Sequence, residues 1–135
     1  MTLVDANVLL RFLTKQPPRQ AAQARALFLK GQQGDPELVV APLIVAEVIY
    51  VLGGVYGYEV ERTRRELLAL LTTGAITVEH EGAVLSALVR MSKQIDFPDA
   101  YLAARARMTK GQVATFDKGF GKLEVERVYM EPNSE

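Results

Sequence analysis

Leu38-Val-Val-Ala-Pro42-Leu-Ile-Val-Ala-Glu47-Val-Ile-Tyr-Val-Leu52 is the stretch whose reading decides the fold. It belongs to a longer apolar run, Val39 to Tyr58, in which Glu47 is the only charged residue. A run of that length invites comparison with a membrane span. Three features oppose that reading. Pro42 follows a strand-like run, Gly53-Gly54 breaks the second half, and an ionised group near the centre costs roughly 2.5 to 3.5 kcal/mol on insertion. The same residues read more simply as a buried strand, Leu38 to Ala41, and a helix that opens on Pro42 and runs to about Leu52.

The flanking sequence alternates in the same way. Leu3-Val4 is a short strand, residues 6 to 14 are a helix with a strongly apolar face, and residues 19 to 33 are a second helix with Ala22, Ala26 and Leu29 at helical spacing. Residues 59 to 72 form a further helix, with Glu61 and Arg65 four apart and Leu67, Leu68 and Leu71 facing inward. Ile76 to Val78 is a strand, and Val84, Ala87, Leu88 and Met91 make a helical stripe after it. A helix over residues 98 to 110, a strand over Val113 to Phe116 and a last strand over Val125 to Val128 complete the pattern. Strands separated by helices imply right-handed crossovers, so the expected architecture is a three-layer α/β/α fold with a central parallel sheet. Ligands in such sheets lie beyond the carboxyl ends of the strands.

The chain has 135 residues, 49% of them hydrophobic, which is enough core for one domain over residues 1 to 135. It has no cysteine, which excludes a disulfide framework, a thiolate zinc site and a cysteine nucleophile. No signal-peptide pattern precedes Asp5, and a cytoplasmic location with no membrane attachment is expected. With 16 basic and 16 acidic residues, the net charge of zero supplies little general attraction to a polyanion. A nucleic-acid substrate would have to be held by the site itself.

Four acids stand apart from the rest. Asp5 closes the first strand, Asp117 closes the strand Val113-Ala-Thr-Phe116, Asp99 opens a helix, and Glu47 sits in a helix apolar nearly all round. A carboxylate in such surroundings is costly to bury alone and calls for a partner or a metal. The remaining acids, from Asp35 and Glu37 to Glu131 and Glu135, lie in turns, tails or charge-mixed segments and are expected to be solvated. No comparable set of Lys or Arg is available to neutralise the four, so a divalent cation is expected to join them. All-oxygen ligation suits Mg²⁺ or Mn²⁺, the equipment for phosphodiester hydrolysis without a side-chain nucleophile.

Asp5-Ala-Asn7-Val-Leu-Leu-Arg11-Phe-Leu, Ala46-Glu47-Val-Ile-Tyr-Val-Leu52, Asp96-Phe-Pro-Asp99-Ala-Tyr-Leu-Ala-Ala and Ala114-Thr115-Phe116-Asp117-Lys118 resemble the PIN-domain ribonucleases. They most resemble the VapC-type toxins of toxin-antitoxin pairs, in the correct order from residue 2 to about residue 128. The resemblance implies a Rossmann-like PIN fold, Mg²⁺- or Mn²⁺-dependent cleavage of RNA, an antitoxin that blocks the site, and a homodimer. It carries Asp5, Glu47, Asp99 and Asp117 over as catalytic, metal-binding acids, with Asn7 and Thr115 as supporting polar positions. The antitoxin is expected in an apolar groove near Tyr50 to Tyr58 and the second helix.

Taken one at a time, several of these residues have simpler roles. Asp5 and Asp99 suit helix starts, Asp96 a cap, and Asp117 before Lys118-Gly119 a turn. Arg11 reads equally as a phosphate contact or as a helix residue reaching for solvent. Arg62, Arg64 and Arg65, interleaved with Glu59, Glu61 and Glu66, read as a solvated face, and His80 receives no catalytic role. The alternative function is a PIN-like module that holds RNA or protein without cutting it. A receiver-type domain lacks its acceptor Asp on Val39-Val-Ala41 or Ile76-Thr-Val78, and a DNA-directed nuclease would use the same metal chemistry.

Overall fold

The computed structural model describes residues 1–130, so Glu131 and Glu135 lie outside the described residues. Contacts divide the chain into two compact units, Met1–Glu81 and the part that begins at Gly82.

The first unit carries β1 (Thr2–Leu3), α1 (Ala6–Thr14), α2 (Pro18–Gln32), β2 (Leu38–Val40), α3 (Pro42–Gly54), α4 (Val60–Leu71) and β3 (Thr77–Val78). Its three strands form a sheet in the order β1-β2-β3, and both pairings are parallel, as the crossovers predict. All three residues of β2 are buried. The decisive stretch is therefore a core strand followed by a helix with Pro42 in its first turn. Among the described residues, no helix is long and apolar enough to cross a membrane.

Each helix reads its buried stripe in a different way. In α1, Ala6, Leu9, Leu10 and Leu13 repeat at i, i+3, i+4 and i+7, and all are buried. In α2 the expected stripe is wrong: Ala22, Ala26 and Leu29 are exposed, while Ala24, Phe28 and Gly31 are buried. Both stripes are apolar, and the close approach of the sheet at Gly31 selects between them. In α4 the buried set is Thr63, Leu67, Leu70 and Leu71, with Leu68 only half-buried. Glu61 pairs with Arg64, and Arg62 with Glu66 at 2.7 Å, in place of the expected Glu61–Arg65 pair. Arg62 also stacks over Tyr58, 3.8 Å from the ring centre. These pairs make the arginine-rich segment a charge-balanced helix surface.

Gly53-Gly54 does not stop α3, which runs through Gly54. The reversal comes at Gly57, whose φ of +69° only glycine adopts without strain, and the Tyr58 N–H donates to the Leu52 carbonyl at 2.9 Å.

From Gly82 onward the second unit contains the rest of α5 (Glu81–Arg90), α6 (Phe97–Met108), β4 (Val113–Thr115), a short 3₁₀ helix (Lys118–Leu123) and β5 (Arg127–Tyr129). Val84, Ala87, Leu88 and Met91 are buried, as the helical stripe predicts. β4 and β5 pair in parallel with Val113 opposite Arg127, a register that starts the last strand two residues later than expected. α6 packs on β4 and on the 3₁₀ helix, with Phe97 and a run of alanines on its buried side. The chain is thus an α/β protein whose strand pairings are all parallel among the described residues.

A methyl group added at Gly31 would lie 2.5 Å from the Ala75 carbonyl oxygen and 2.7 Å from Leu38 Cδ1. Backbone cannot yield cheaply there. Gly31→Ala is expected to lose about 1 to 2 kcal/mol in urea denaturation, since overpacking by about 1 to 3 kcal/mol exceeds the helix-propensity gain of roughly 1 kcal/mol. Unchanged stability would show that α2 does not sit against the sheet in this way.

Candidate active site

The acids sit where strands end and helices begin, and local hydrogen bonding explains their orientation. In the first unit, Asp5 follows β1 and caps α1, its Oδ1 accepting from the Val8 N–H at 3.1 Å. One carboxylate oxygen is engaged in this way and the other keeps its lone pairs. Asn7 stands exposed in the first turn of the same helix. Arg11 is held by Gln20, its Nε donating to Oε1 at 2.7 Å, which makes it a brace between α1 and α2.

Glu47 corrects the expectation that a carboxylate in α3 is buried. The buried side of α3 consists of Val45, Val48 and Leu52, and Glu47 faces solvent. It shares the exposed side with Leu43 and Tyr50, both 78% exposed. A helix apolar all round conceals which of its faces is covered.

In the second unit the acids crowd together. Asp96 caps α6 by accepting the Asp99 N–H at 3.1 Å, and Pro98 occupies the first turn. Asp99 is the only one of the four expected metal-binding acids withdrawn from water, and it is half-buried. Its carboxyl is pushed above the ordinary carboxylate range, first by burial, then by the charge of Asp96 and a hydrogen bond with it, and then by the charge of Asp117. Placement at a helix N-terminus works the other way, favouring the ionised form. Desolvation and the two like charges prevail.

Asp117 follows β4 and is exposed, held on both sides. Its N–H donates to Thr115 Oγ1 at 2.9 Å, and its Oδ1 accepts from the Gly119 N–H at 2.7 Å, capping the 3₁₀ helix. Thr115 therefore holds the backbone of Asp117. A Cβ at Gly119 would come within 2.9 Å of Asp117 Oδ1, so a side chain there would shift the carboxylate from its place on this turn. Gly119 is a positioning residue that the sequence reading treats only as part of a turn; an Asp followed two residues later by Gly, just past a strand, is the signal for it.

The structure thus places Asp5 and Glu47 in the first unit and brings Asp99 together with Asp96 and Asp117 in the second. Among the described residues, no group of three or more His, Cys, Asp or Glu is arranged to hold a metal ion. The donor chemistry nevertheless fits a hard divalent cation: carboxylate oxygens only, with like charges close enough to oppose ionisation at Asp99. His80 is exposed on a left-handed backbone.

An open apolar groove of about 730 Å³ lies in the first unit between α1, α2 and α4. Phe12, Ala22, Phe28, Leu29 and Leu70 line it, with Lys15 and Arg25 among its charged residues. The second helix lines this groove, whereas Tyr50 to Tyr58 do not.

A family profile described as PIN domain matches residues 2–126. No curated protein matches the chain.

The shift at Asp99 has a testable sign. Between the ordinary carboxylate pKa and the raised one, the folded chain holds more protons than the unfolded chain, so stability falls as pH rises through that window. Asp99→Asn removes the penalty. In EDTA the variant is expected to be more stable than the wild type at pH 7, with the difference vanishing below the ordinary carboxylate pKa of about 3.9. Equal stability of the two proteins at pH 7 would contradict the crowded-charge description.

Proposed function

Because this chain belongs to the PIN-domain family, whose members are generally nucleases, we propose that it is a Mg²⁺- or Mn²⁺-dependent endoribonuclease that hydrolyses RNA phosphodiester bonds. One observation carries the reading: Asp99 is half-buried beside Asp96 and Asp117, so its carboxyl is held up by burial and by like charge. An anionic cluster of that kind is relieved by a cation. Asp5, Glu47, Asp99 and Asp117 are the proposed ligands. A bound divalent ion supplies the charge neutralisation and water activation that phosphodiester hydrolysis needs.

The protein's own residues supply the orientation. The capping bonds of Asp5 and Asp117 fix one oxygen of each carboxylate before any ligand arrives, which reduces the ordering cost of binding. Thr115 holds the backbone of Asp117, and Asn7 extends the polar edge of the Asp5 turn. In the reaction, water adds to phosphorus, the 3′ oxygen leaves, and no covalent intermediate with the protein forms.

On the same reading, residues 1 to 135 act as one PIN domain, a cytoplasmic toxin of the VapC type that functions as a homodimer and is inhibited by a cognate antitoxin. The apolar groove between α1, α2 and α4 suits an apolar helix carrying acidic residues, which Lys15 and Arg25 would complement. The toxin reading predicts that induction of the wild-type chain arrests growth of its host and that Asp99→Asn does not.

The deciding assay compares single-stranded and structured RNA, and matched DNA, in Mg²⁺, Mn²⁺ or EDTA. Cleavage is expected to need the metal and to favour RNA. Asp5→Asn and Asp99→Asn should each reduce it by roughly a hundredfold or more, since outer partners of metal ligands alone are typically worth 10- to 100-fold. No cleavage of any RNA in any metal would leave a module that holds RNA or protein without cutting it. Equal cleavage of DNA would assign the activity to DNA as well.

A further inference from the structure

We infer that Arg90 and Arg107 form a guanidinium clamp that sets the position of Asp117, acting at the opposite end of the short 3₁₀ helix from that carboxylate. They are positioning residues for the proposed metal site. The inference rests on the metal-dependent reading above and adds to it what holds Asp117 beside Asp99.

The parts all lie in the second unit. Arg90 is the last residue of α5, and Arg107 stands in the last turn of α6. Arg90 Nη2 donates to the Lys122 carbonyl at 3.1 Å, and Arg107 Nη1 donates to the Leu123 carbonyl at 2.7 Å. The partners are 32 and 16 residues apart along the chain, so each bond joins two elements. Lys122 and Leu123 end the 3₁₀ helix, where carbonyls lack partners within the helix, and Asp117 caps its other end. A cation on the last carbonyls of a helix is ordinary, and usually it comes from that helix itself. Here both come from other helices.

The geometry carries the effect to Asp117. α6 bears Asp99 in its first turn and Arg107 in its last. At about 1.5 Å of rise per residue these two are about 12 Å apart along the axis. From Asp117 to Leu123, at about 2.0 Å per residue, the 3₁₀ helix also spans about 12 Å. One of its ends meets α6 where Asp117 acts on Asp99, and the other where Leu123 accepts from Arg107. The 3₁₀ helix therefore runs alongside α6, and the two pack together. A slide at the Leu123 end is a slide of the carboxylate at the other.

Apolar burial does not fix that slide. Phe120 and Leu123 are buried, which presses the helix onto its neighbours, but the hydrophobic effect has no direction along an axis. Thr115 Oγ1 and the Gly119 N–H tie Asp117 to its own turn, not to α6. The guanidinium bonds are directional and charge-assisted. Reaching adjacent carbonyls from two different helices, they oppose rotation as well as sliding. The near end needs such a hold, because Asp99 and Asp117 carry like charge and repel.

The test uses the full chain and two readouts. Met keeps an apolar stem in place of Arg and removes the donors, while Lys restores a donor. In EDTA, Arg90→Met with Arg107→Met is expected to speed amide hydrogen exchange at Asp117 and Gly119 roughly tenfold, the scale of one or two lost hydrogen bonds. Exchange within α5 and α6 should not change. The Mn²⁺ affinity of the same double variant, measured by calorimetry, should fall about tenfold, and Arg90→Lys with Arg107→Lys should recover most of both losses. If the double Met variant does not fold, Arg107→Met alone is read in the same way. Faster exchange with unchanged affinity in a protein that binds Mn²⁺ would overturn the inference, because the arginines would then be helix stops alone. So would unchanged exchange at Asp117 and Gly119, loosening spread through α5 and α6, or Lys variants no better than Met. If the wild type binds no Mn²⁺, exchange decides: acceleration that Lys reverses upholds the clamp and removes the metal reading. Mn²⁺ binding indifferent to both arginines would do the reverse.

Discussion

Asp99 carries an electrostatic cost that the N-terminus of its helix does not offset. Half-buried at the start of α6, it stands beside Asp96 and within the field of Asp117, and burial and both neighbours push its carboxyl upward. No Lys or Arg contributes to that shift. A fold selected for stability alone would place Asn or a cation there. Function commonly takes this form: a group held in an unfavourable state until a ligand of opposite charge arrives.

Secondary structure aims the acids. A strand that ends in Asp presents its carboxylate to the next helix, and the helix start supplies an N–H that fixes one oxygen. Asp5 and Asp117 both use Oδ1 in this way, with Val8 and Gly119 as donors. Capping leaves a second oxygen open to a ligand, because a carboxylate has two. The simple helix-start role of each residue is thus compatible with the proposed one.

The sequence made the α/β class, the parallel pairings and the strand–helix reading of residues 38 to 52 legible, because β-branched runs, Pro42 and helical stripes are local signals. It was less informative where two faces are chemically alike. In α2 both stripes are apolar, and only contact with Leu38 and Ala75 selects the one through Gly31. In α3 nearly every residue is apolar, so composition placed Glu47 in the core while packing left it in solvent. The grouping of Asp99 with Asp96 and Asp117 depends on the meeting of α6 and the end of β4, a tertiary event that spacing along the chain cannot express. Gly119 escaped for a related reason: a glycine is informative only once the group above it is known.

The central claim is that the acids grouped at Asp99 are relieved by a divalent cation. Calorimetric titration of Mn²⁺ into the wild type, Asp99→Asn and Asp117→Asn tests it without any substrate. The account predicts measurable binding by the wild type and a loss of at least about tenfold in affinity for each variant, the scale at which even outer partners of a metal site act. Unchanged Mn²⁺ affinity in Asp99→Asn, or no binding by the wild type, would contradict it.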